Sequence, residues 1–225
     1  MTGDKFTEFV KIVKRLRKEC PWDREQTNDS IKAATIEEAY EVVEAIEKNN
    51  YDDLKGELGD LLLHVVFHTI IASESNGFTI DDVIDSIQSK LIRRHPHVFG
   101  DVKVSGANEV KKNWEEIKLE EGRNSVLDGV PEMLPALQRA HRLQEKASKV
   151  GFDWEKKEDV WKKVIEEIEE MHEIEKAKNQ KSNFKNEKIY NQLENEIGDV
   201  FFALVNYARF LDVNPENALR RTNSK

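Results

Sequence analysis

The sequence predicts an all-α protein built from two similar helical halves. Glycine and proline are scarce, at 10 and 5 of the 225 residues, whereas 35% of the residues are charged. Long charged segments alternate with apolar residues at the helical period, which is typical of helices that bury one face. A pattern of paired acidic residues followed by an apolar segment also occurs twice in the same order, and this predicts an internal repeat.

The first half is predicted to contain four main helices, each marked by an apolar stripe and by residues that favour helix ends. They span residues 6–17, 31–48, 53–73 and 79–92. Pro21 is expected to end the first helix, and Asn28 to Ser30 are expected to cap the second. Asp52 or Asp53 is the expected cap of the third helix, and Thr79 that of the fourth.

The remaining helices are predicted at residues 109–121, 134–148 and 158–177. They are followed by a helix that contains Glu196 and Asp199, and then by a last helix that begins at Asn214. Residues 122–131 are the predicted linker, and residues 179–186 form a predicted polar loop. The predicted domains are therefore residues 1–104, a helical connector and linker at 105–132, and residues 133–225.

Each half carries four carboxylates whose spacing places them in pairs on a helix face, because residues three apart share a face. If the two helices of a half pack antiparallel, the four carboxylates converge, and they repel one another unless a cation lies among them. An all-oxygen ligand set favours Mg²⁺, with Mn²⁺ as the alternative. The pairs are Glu38 with Glu41 and Glu57 with Asp60 in the first half, and Glu167 with Glu170 and Glu196 with Asp199 in the second.

The alternative is that these carboxylates lie on solvent-exposed helix faces and bind no metal. The segments that follow them argue for a metal site instead. Residues 200–208 carry no charge, and residues 61–72 carry none apart from His64 and His68. Helices that are apolar on every side are expected to be buried, so the carboxylates would lie at the mouths of core helices. The two histidines are four residues apart, but no cysteine or third histidine completes a zinc site, so we interpret them as core residues or as supports for the ligands.

The net charge and the apolar pattern disfavour several classes of partner. A formal net charge of −9 disfavours nucleic acid or an anionic membrane as the main partner. It leaves a small nucleotide possible, because a metal ion can neutralise the phosphates. Cys20 is the one cysteine, and neither a signal-peptide core nor an apolar stretch of bilayer length is present. We therefore expect a cytoplasmic protein that does not enter a membrane.

A compact basic group follows the fourth helix of the first half. Lys90, Arg93 and Arg94 lie next to Pro96. These cations suit a helix C-terminus, and they also suit a clamp for phosphate groups. Lys225 aligns with Lys90 in the repeat and is the corresponding candidate in the second half.

Seven short motifs along the chain resemble one known family. They are CPWDREQT (20–27), EEAYEV (37–42), ELGDLLLHVVFH (57–68), RRHPHVFGD (93–101), LPAL (134–137), GFDW (151–154) and EIGDVFFALVN (196–206). In this order they resemble the tandem two-domain bacterial members of the MazG family of nucleoside triphosphate pyrophosphohydrolases. The resemblance covers nearly the whole chain.

The resemblance implies two MazG-like helical bundles completed by homodimerisation, and Mg²⁺-dependent hydrolysis of nucleoside triphosphates to monophosphate and pyrophosphate. By motif match it assigns the eight carboxylates named above as metal ligands. It also implies that Glu166 lies beside the second set, that Glu37 lies beside the first, and that Lys163 contacts the nucleotide. Ala34 takes the place of this lysine in the first half. The family pattern leads us to expect an aromatic residue and arginines beyond Lys225, where this sequence ends.

This chemistry needs a water nucleophile and neutralised phosphates, and we expect Glu166, or Glu37 in the first half, to orient or deprotonate the water. The GxxxxGK[ST] motif of P-loop enzymes is absent from the sequence. One alternative is a non-catalytic helical module that binds nucleotides or partners. Another is a di-iron or di-manganese carboxylate bundle, which uses Glu-x-x-His twice, whereas this chain offers only Glu169 with His172 at such a site.

Overall fold

The computed structural model describes residues 2–122, 125–180 and 187–225, and the regular structure in these ranges is entirely α-helical. The helices are α1 Thr2–Glu19, α2 Pro21–Glu25, α3 Lys32–Glu47, α4 Tyr51–Glu74, α5 Ile80–Arg94, α6 Pro96–Phe99, α7 Ala107–Glu120, α8 Ala136–Lys149, α9 Lys157–Gln180, α10 Glu187–Phe210 and α11 Pro215–Asn223. The all-α prediction is therefore confirmed. The chain divides into two compact units, Met1–Val102 and Lys103–Lys225. The finer domain boundaries at residues 104 and 132 stay predictions.

The core of the first unit lies where α1 packs against α4, which in turn pairs with α3. Its buried members are Val10 and Val13 of α1, Ile31 just before α3, and Val66, Phe67 and Ile70 of α4. A three-residue turn joins α3 to α4, and Asn49 adopts a positive φ of 53° there. Asn, with its short polar side chain, tolerates this left-handed conformation better than most residues.

Two of the predicted helix caps in the first unit are wrong. The cap of α4 is Asn50, whose side-chain oxygen accepts from the backbone N–H groups of Asp52 and Asp53 at 3.2 and 3.3 Å. The cap position of α3 is Ile31, which has no side-chain cap. The reason lies in the preceding turn, since Ser30 exchanges backbone-to-hydroxyl hydrogen bonds with Thr27 and so is engaged away from the helix end.

The first helix ends at Glu19, two residues before Pro21, the predicted stop. Cys20 separates α1 from the short helix α2, and Pro21 occupies the first turn of α2. Proline is tolerated there because its missing N–H would have had no helical partner. The predicted cap of α5 is confirmed, since Thr79 and Asp82 form a capping box. Helix α5 packs against α4 and carries the basic group in its C-terminal turns.

In the second unit, α9 packs against α10, α8 packs on α10, and α11 contacts both α8 and α10. The buried apolar side chains include Val160 and Val164 of α9 and Ala203 and Val205 of α10. The polar loop predicted at 179–186 begins later than expected, because residues 179 and 180 belong to α9, and its residues 181–186 lie outside the described ranges. Residues 123 and 124 of the predicted linker also lie outside them. The last helix begins as predicted, with Asn214 as its cap.

A buried lysine ties the turns before α8 to that helix. Lys146 is only 3% exposed, and its amine donates to the carbonyl oxygens of Val126 and Asp128 at 2.8 and 3.1 Å. A buried ammonium is stable only when hydrogen-bond acceptors surround it. The segment around these two carbonyls therefore forms part of the folded second unit.

The prediction that the long apolar segments are buried on every side is wrong for the single chain. In α10, Phe201 is 55% exposed and Leu204 is 40% exposed. In α4, Leu62 and Val65 are each 42% exposed. One face of each helix packs on its own unit, and the opposite face is open. No helix that the structure describes meets the length and hydropathy that a bilayer-spanning segment requires.

Candidate metal and nucleotide site

The second unit brings three of its four predicted ligands together. Glu167 and Glu170 of α9 and Glu196 of α10 each offer a carboxylate oxygen, and these oxygens all lie within 4.8 Å of one another. The first two share a face of α9, and the packing of α10 supplies the third. Glu167 is buried, with 8% of the residue exposed. Asp199 is exposed one turn along α10 and is not a member of this group of three.

The electrostatics of this cluster suit a cation. Burial raises the pKa of the Glu170 carboxyl, and the neighbouring charges of Glu167 and Glu196 raise it further. Burial and the neighbouring negative charges therefore both disfavour the ionised form of this carboxyl, and a bound cation would favour it. The donor atoms are all carboxylate oxygens, which suit a hard divalent cation. The residues present therefore fit a metal ion of this class.

Lys163 already partly neutralises the cluster. Its amine lies 2.7 Å from Oε1 of Glu166 and 2.8 Å from Oε1 of Glu167. The hydrogen bonds to these two carboxylates, first Glu166 and then Glu167, raise the pKa of Lys163. The lysine is therefore charged at neutral pH and lies one turn before the ligands on the same helix. Glu166, the candidate for water activation, is exposed and is held by this lysine.

The first unit contains the matching arrangement. Glu38 and Glu41 of α3 and Glu57 of α4 offer carboxylate oxygens that all lie within 4.8 Å of one another. Burial raises the pKa of Glu38, and the charges of Glu41, Asp60 and Glu57 raise it further. Asp60 therefore acts on this cluster electrostatically, although it is not one of the three. Glu37 is exposed beside Glu38, as its sequence position predicts.

A polar network adjoins the first cluster. Thr35 Oγ1 lies 2.9 Å from Nδ1 of His64 and 2.8 Å from Nε2 of His68. His68 Nδ1 lies 2.8 Å from the side-chain oxygen of Asn28. The other ring nitrogen of His64, Nε2, lies 3.9 Å from Oε1 of Glu38. The sequence singled out the two histidines but not Thr35 or Asn28, whose roles depend on the packing of α3 against α4.

The predicted basic contacts are less closely placed. Arg93 and Arg94 lie in the last turn of α5, and Lys90 lies one turn earlier. Lys225 is exposed after the end of α11. Within the described ranges, no ion pair joins Lys90 to a carboxylate of the first cluster or Lys225 to a carboxylate of the second. Their assignment to the substrate therefore stays a prediction.

The Glu-x-x-His pair that a di-iron bundle requires does not join the second cluster. His172 Nδ1 lies 3.4 Å from Glu175 Oε2, and both side chains are 55% exposed. Glu169 is also exposed. Ligands of a di-iron centre project into the bundle interior, so this geometry counts against that alternative.

A cavity of about 590 Å³ lies beside α8 and α10 in the second unit. Phe202, which lies on its wall, is one turn beyond Asp199 on α10. The residues that line the cavity are Leu127, Leu143, Gln144, Ala147, Gly151, Phe152, Asp153, Trp154, Phe202, Asn206 and Arg209. The cavity wall therefore contains the GFDW motif but none of the three clustered glutamates.

Comparisons with known proteins show which family the chain belongs to. The model of the MazG nucleotide pyrophosphohydrolase domain matches residues 26–99, which include all of the first cluster. The chain is 46% identical to the nucleoside triphosphate pyrophosphohydrolase/pyrophosphatase MazG of Thermotoga maritima, an alignment that covers 99% of this chain and 83% of the relative. The chain belongs to the MazG family.

Two further relatives extend this result. The chain is 44% identical to the nucleoside triphosphate pyrophosphohydrolase of Escherichia coli strain K12, over 96% of this chain and 82% of that protein. It is 48% identical to the uncharacterized protein YabN of Bacillus subtilis, over 98% of this chain and 44% of that protein. The resemblance predicted from the seven motifs is confirmed, and so is the prediction of a MazG-type enzyme.

Proposed function

We propose that the chain hydrolyses nucleoside triphosphates to nucleoside monophosphate and pyrophosphate, with Mg²⁺ bound at the second cluster. The main support for the proposal is that the carboxylates of Glu167, Glu170 and Glu196 lie close together. The amine of Lys163 contacts this cluster at Glu167. The names of the Thermotoga maritima and Escherichia coli relatives supply the reaction class. Mn²⁺ is the expected substitute, because it also accepts carboxylate ligands.

The residues of the second cluster suit the steps of this reaction. Glu167, Glu170 and Glu196 would hold the cation, and Asp199 would reach it from the next turn of α10. When bound, the ion supplies charge neutralisation on the phosphates and lowers the pKa of a bound water. Lys163 can turn from its carboxylate partners to a phosphate oxygen, since a lysine side chain has a flexible stem.

Glu166 is our candidate for the base. It is exposed beside the cluster, so it can contact a water molecule and accept its proton. The water oxygen bonds to phosphorus as the phosphoanhydride bond between the α- and β-phosphates breaks, and pyrophosphate leaves. Lys163 and Lys225 would neutralise the charge that develops on the leaving group. Lys90, Arg93 and Arg94 are the corresponding candidates for the first cluster.

The test is product analysis with the full chain. The expected products from each NTP or dNTP with Mg²⁺ are monophosphate and pyrophosphate, and a chelator should abolish both. Glu167→Gln should lower kcat by about 100-fold or more, because it removes a metal ligand. Glu169→Gln on the same helix is the matched control and should retain activity, since Glu169 is exposed and is not a member of the cluster. Diphosphate plus phosphate as products would contradict the bond assignment.

We also propose that a second copy of the chain covers the open apolar faces. Leu58, Leu62 and Val65 of α4 are exposed at a spacing that places them on one face. In the repeat, the exposed residues Ile197, Phe201 and Leu204 of α10 align with them. Contiguous exposed apolar residues of this kind mark interaction surfaces. This arrangement supports the homodimer that the family resemblance predicts.

A non-catalytic role is a second candidate for the first half alone. Ala34 stands where Lys163 stands in the second half, so the first cluster has no lysine on the turn before its ligands. Glu38→Gln in the product assay separates the two possibilities. If the first half does not turn over, this variant should keep the activity of the parent.

A further inference from the structure

The two clusters differ in whether a cation of the chain itself lies beside them. In the second half, the amine of Lys163 lies 2.8 Å from Oε1 of Glu167 and 2.7 Å from Oε1 of Glu166. Of the three clustered carboxylates, Glu167 is buried, Glu196 is half-buried and Glu170 is exposed. The lysine therefore pairs with the ligand that water reaches least.

This ion pair is partly withdrawn from water. Only 10% of the Glu167 side chain and 36% of the Lys163 side chain are exposed. Solvent and salt screen such a pair less than a pair on the open surface, and a buried carboxylate without a partner is costly. Lys163 therefore stabilises Glu167 while no metal ion is bound.

A divalent ion that enters the second cluster meets this ammonium group. Oxygens of Glu167, Glu170 and Glu196 all lie within 4.8 Å of one another, and the amine of Lys163 lies 2.8 Å from an oxygen of Glu167. A double and a single positive charge repel each other twice as strongly as two single charges at the same distance. For the ion to bind, Lys163 must either leave Glu167 or stay beside a like charge, and both cost free energy.

The first cluster provides a comparison within the same chain. Ala34 takes the place of the lysine, one turn before Glu38. Within the ranges that the structure describes, no lysine or arginine forms an ion pair with Glu38, Glu41 or Glu57. A divalent ion can therefore bind at the first cluster without the displacement of a lysine.

We propose that Lys163 is an internal counter-ion that lowers the affinity of the second cluster for free divalent metal, so that the metal binds there together with a triphosphate. Phosphate oxygens offer the ammonium charge-assisted hydrogen bonds in place of those to Glu167. The carboxylate of Glu167 is then free to bind the metal. Because coupling between two ligands is reciprocal, the metal should also strengthen the binding of the nucleotide. This inference rests on the proposed function of the second cluster.

The first test measures the binding of Mn²⁺ alone to the full chain, without nucleotide. Glu38→Gln with Glu41→Gln silences the first cluster, and the electron paramagnetic resonance signal of hydrated Mn²⁺ reports the concentration of free ion. In this background Lys163→Met should bind Mn²⁺ about 10-fold more tightly, a factor typical of coupled binding equilibria. Lys162→Met is the matched control and should leave the affinity unchanged, since it removes the same charge from a lysine that pairs with Asp159 outside the cluster.

The outcomes separate this inference from the proposed function. Equal Mn²⁺ affinities in Lys163→Met and Lys162→Met would overturn the counter-ion role and leave the metal site in place. Absence of Mn²⁺ from the second cluster in both variants would overturn this inference together with the proposed metal site.

A reciprocal variant places a lysine beside the first cluster and does not depend on the folding of Lys163→Met. In a Glu167→Gln, Glu170→Gln background, which leaves only the first cluster, Ala34→Lys should weaken the binding of Mn²⁺ alone about 10-fold. Ala33→Lys is the matched control, since it adds the same charge at the neighbouring exposed position of α3, and it should have a smaller effect. Equal affinities in these two lysine variants would overturn the counter-ion role.

The joint binding of metal and triphosphate is tested with α,β-methylene-ATP, which has no cleavable oxygen bridge between its α- and β-phosphates. Calorimetry in the Glu38→Gln, Glu41→Gln background gives its affinity for the chain with and without Mg²⁺. The gain in affinity on adding Mg²⁺ should be about 10-fold smaller in Lys163→Met than in Lys162→Met, because the former has no ammonium to transfer to the phosphates. The complex of Mg²⁺ with the free analogue is the same for both variants, so the difference between them reports the site. Equal gains in the two variants would overturn the joint binding.

Discussion

At single residues, sequence spacing accounts for two of the three carboxylates in each cluster. Glu38 with Glu41, and Glu167 with Glu170, are neighbours on any α-helix, so their proximity follows from the sequence alone. The third carboxylate of each cluster comes from another helix, and only the packing of that helix could place it. The same limit explains why Thr35 was missed, since its partners are 29 and 33 residues away in the chain.

The raised pKa of Glu57 leads to a prediction about stability. Burial is its first cause, and the charges of Glu41 and Asp60 add to it. The folded protein therefore binds this proton more tightly than the unfolded chain does. The resulting stability is fully present below the ordinary glutamate pKa of about 4.5, and it is lost as the pH rises through the raised pKa. With chelator present, Glu57→Gln should therefore unfold at a higher temperature than the parent at pH 7, and the difference should shrink towards pH 4.5.

Thermal unfolding followed by circular dichroism measures this effect. With excess Mg²⁺ at pH 7, the parent should instead unfold at a higher temperature than Glu57→Gln, because only the parent keeps all of its metal ligands. Glu25→Gln, on the exposed surface of α2, is the matched control and should show neither effect. A lower unfolding temperature for metal-free Glu57→Gln at pH 7 would show that the carboxylates do not repel one another.

At the level of helices, most elements but not all of their ends could be predicted. Apolar periodicity located the helices because it reports which face is buried. The ends depend on local hydrogen bonds, which the sequence alone leaves ambiguous. Asn50 and Asp52 are both good capping residues, and only the turn at Asn49 decides between them. Thr79 was easier to identify, because Asp82 three residues later completes a capping box.

The cap at Thr79 should control the stability of α5. Thr79→Ala removes the hydroxyl that accepts from the Asp82 backbone N–H at 3.3 Å, and the loss of such a cap costs about 0.5–2 kcal/mol. Thr79→Ser preserves the hydroxyl and should stay close to the parent. Chemical denaturation of the full chain gives the free energy of unfolding. If the alanine and serine variants are equally stable, the cap contributes nothing measurable.

For the whole molecule, the sequence predicted the fold class and the family, but not which surfaces one chain covers. The apolar pattern of α10 indicated burial on every side, yet Phe201 is 55% exposed in the single chain. The pattern of apolar residues indicates which side chains are shielded from water in the functional protein. It does not indicate whether the same chain or a second copy shields them. The error in the burial prediction is therefore itself an observation in favour of self-association.

Charge placed on the exposed apolar faces of α4 and α10 should separate the two copies of the chain. The parent is expected to sediment at twice its chain mass of 26.1 kDa. Phe201→Glu together with Leu62→Glu should yield the single-chain mass, since a buried unpaired charge opposes association. Phe152→Glu is a matched control, because Phe152 is 84% exposed in the GFDW turn and lies outside the helical stripe. A parent that sediments as a single chain at micromolar concentration would contradict the dimer.

The buried amine of Lys146 limits where a stable fragment of the second half can begin. A recombinant fragment that begins at residue 133 lacks the carbonyls of Val126 and Asp128, so this amine loses two of its acceptors. A fragment that begins at residue 103 retains both of them. We expect the longer fragment to be more stable by roughly 1–3 kcal/mol and to resist a protease where the shorter one is digested. Separate study of the second half should therefore start well upstream of α8, with residues that the sequence alone classes as connector and linker.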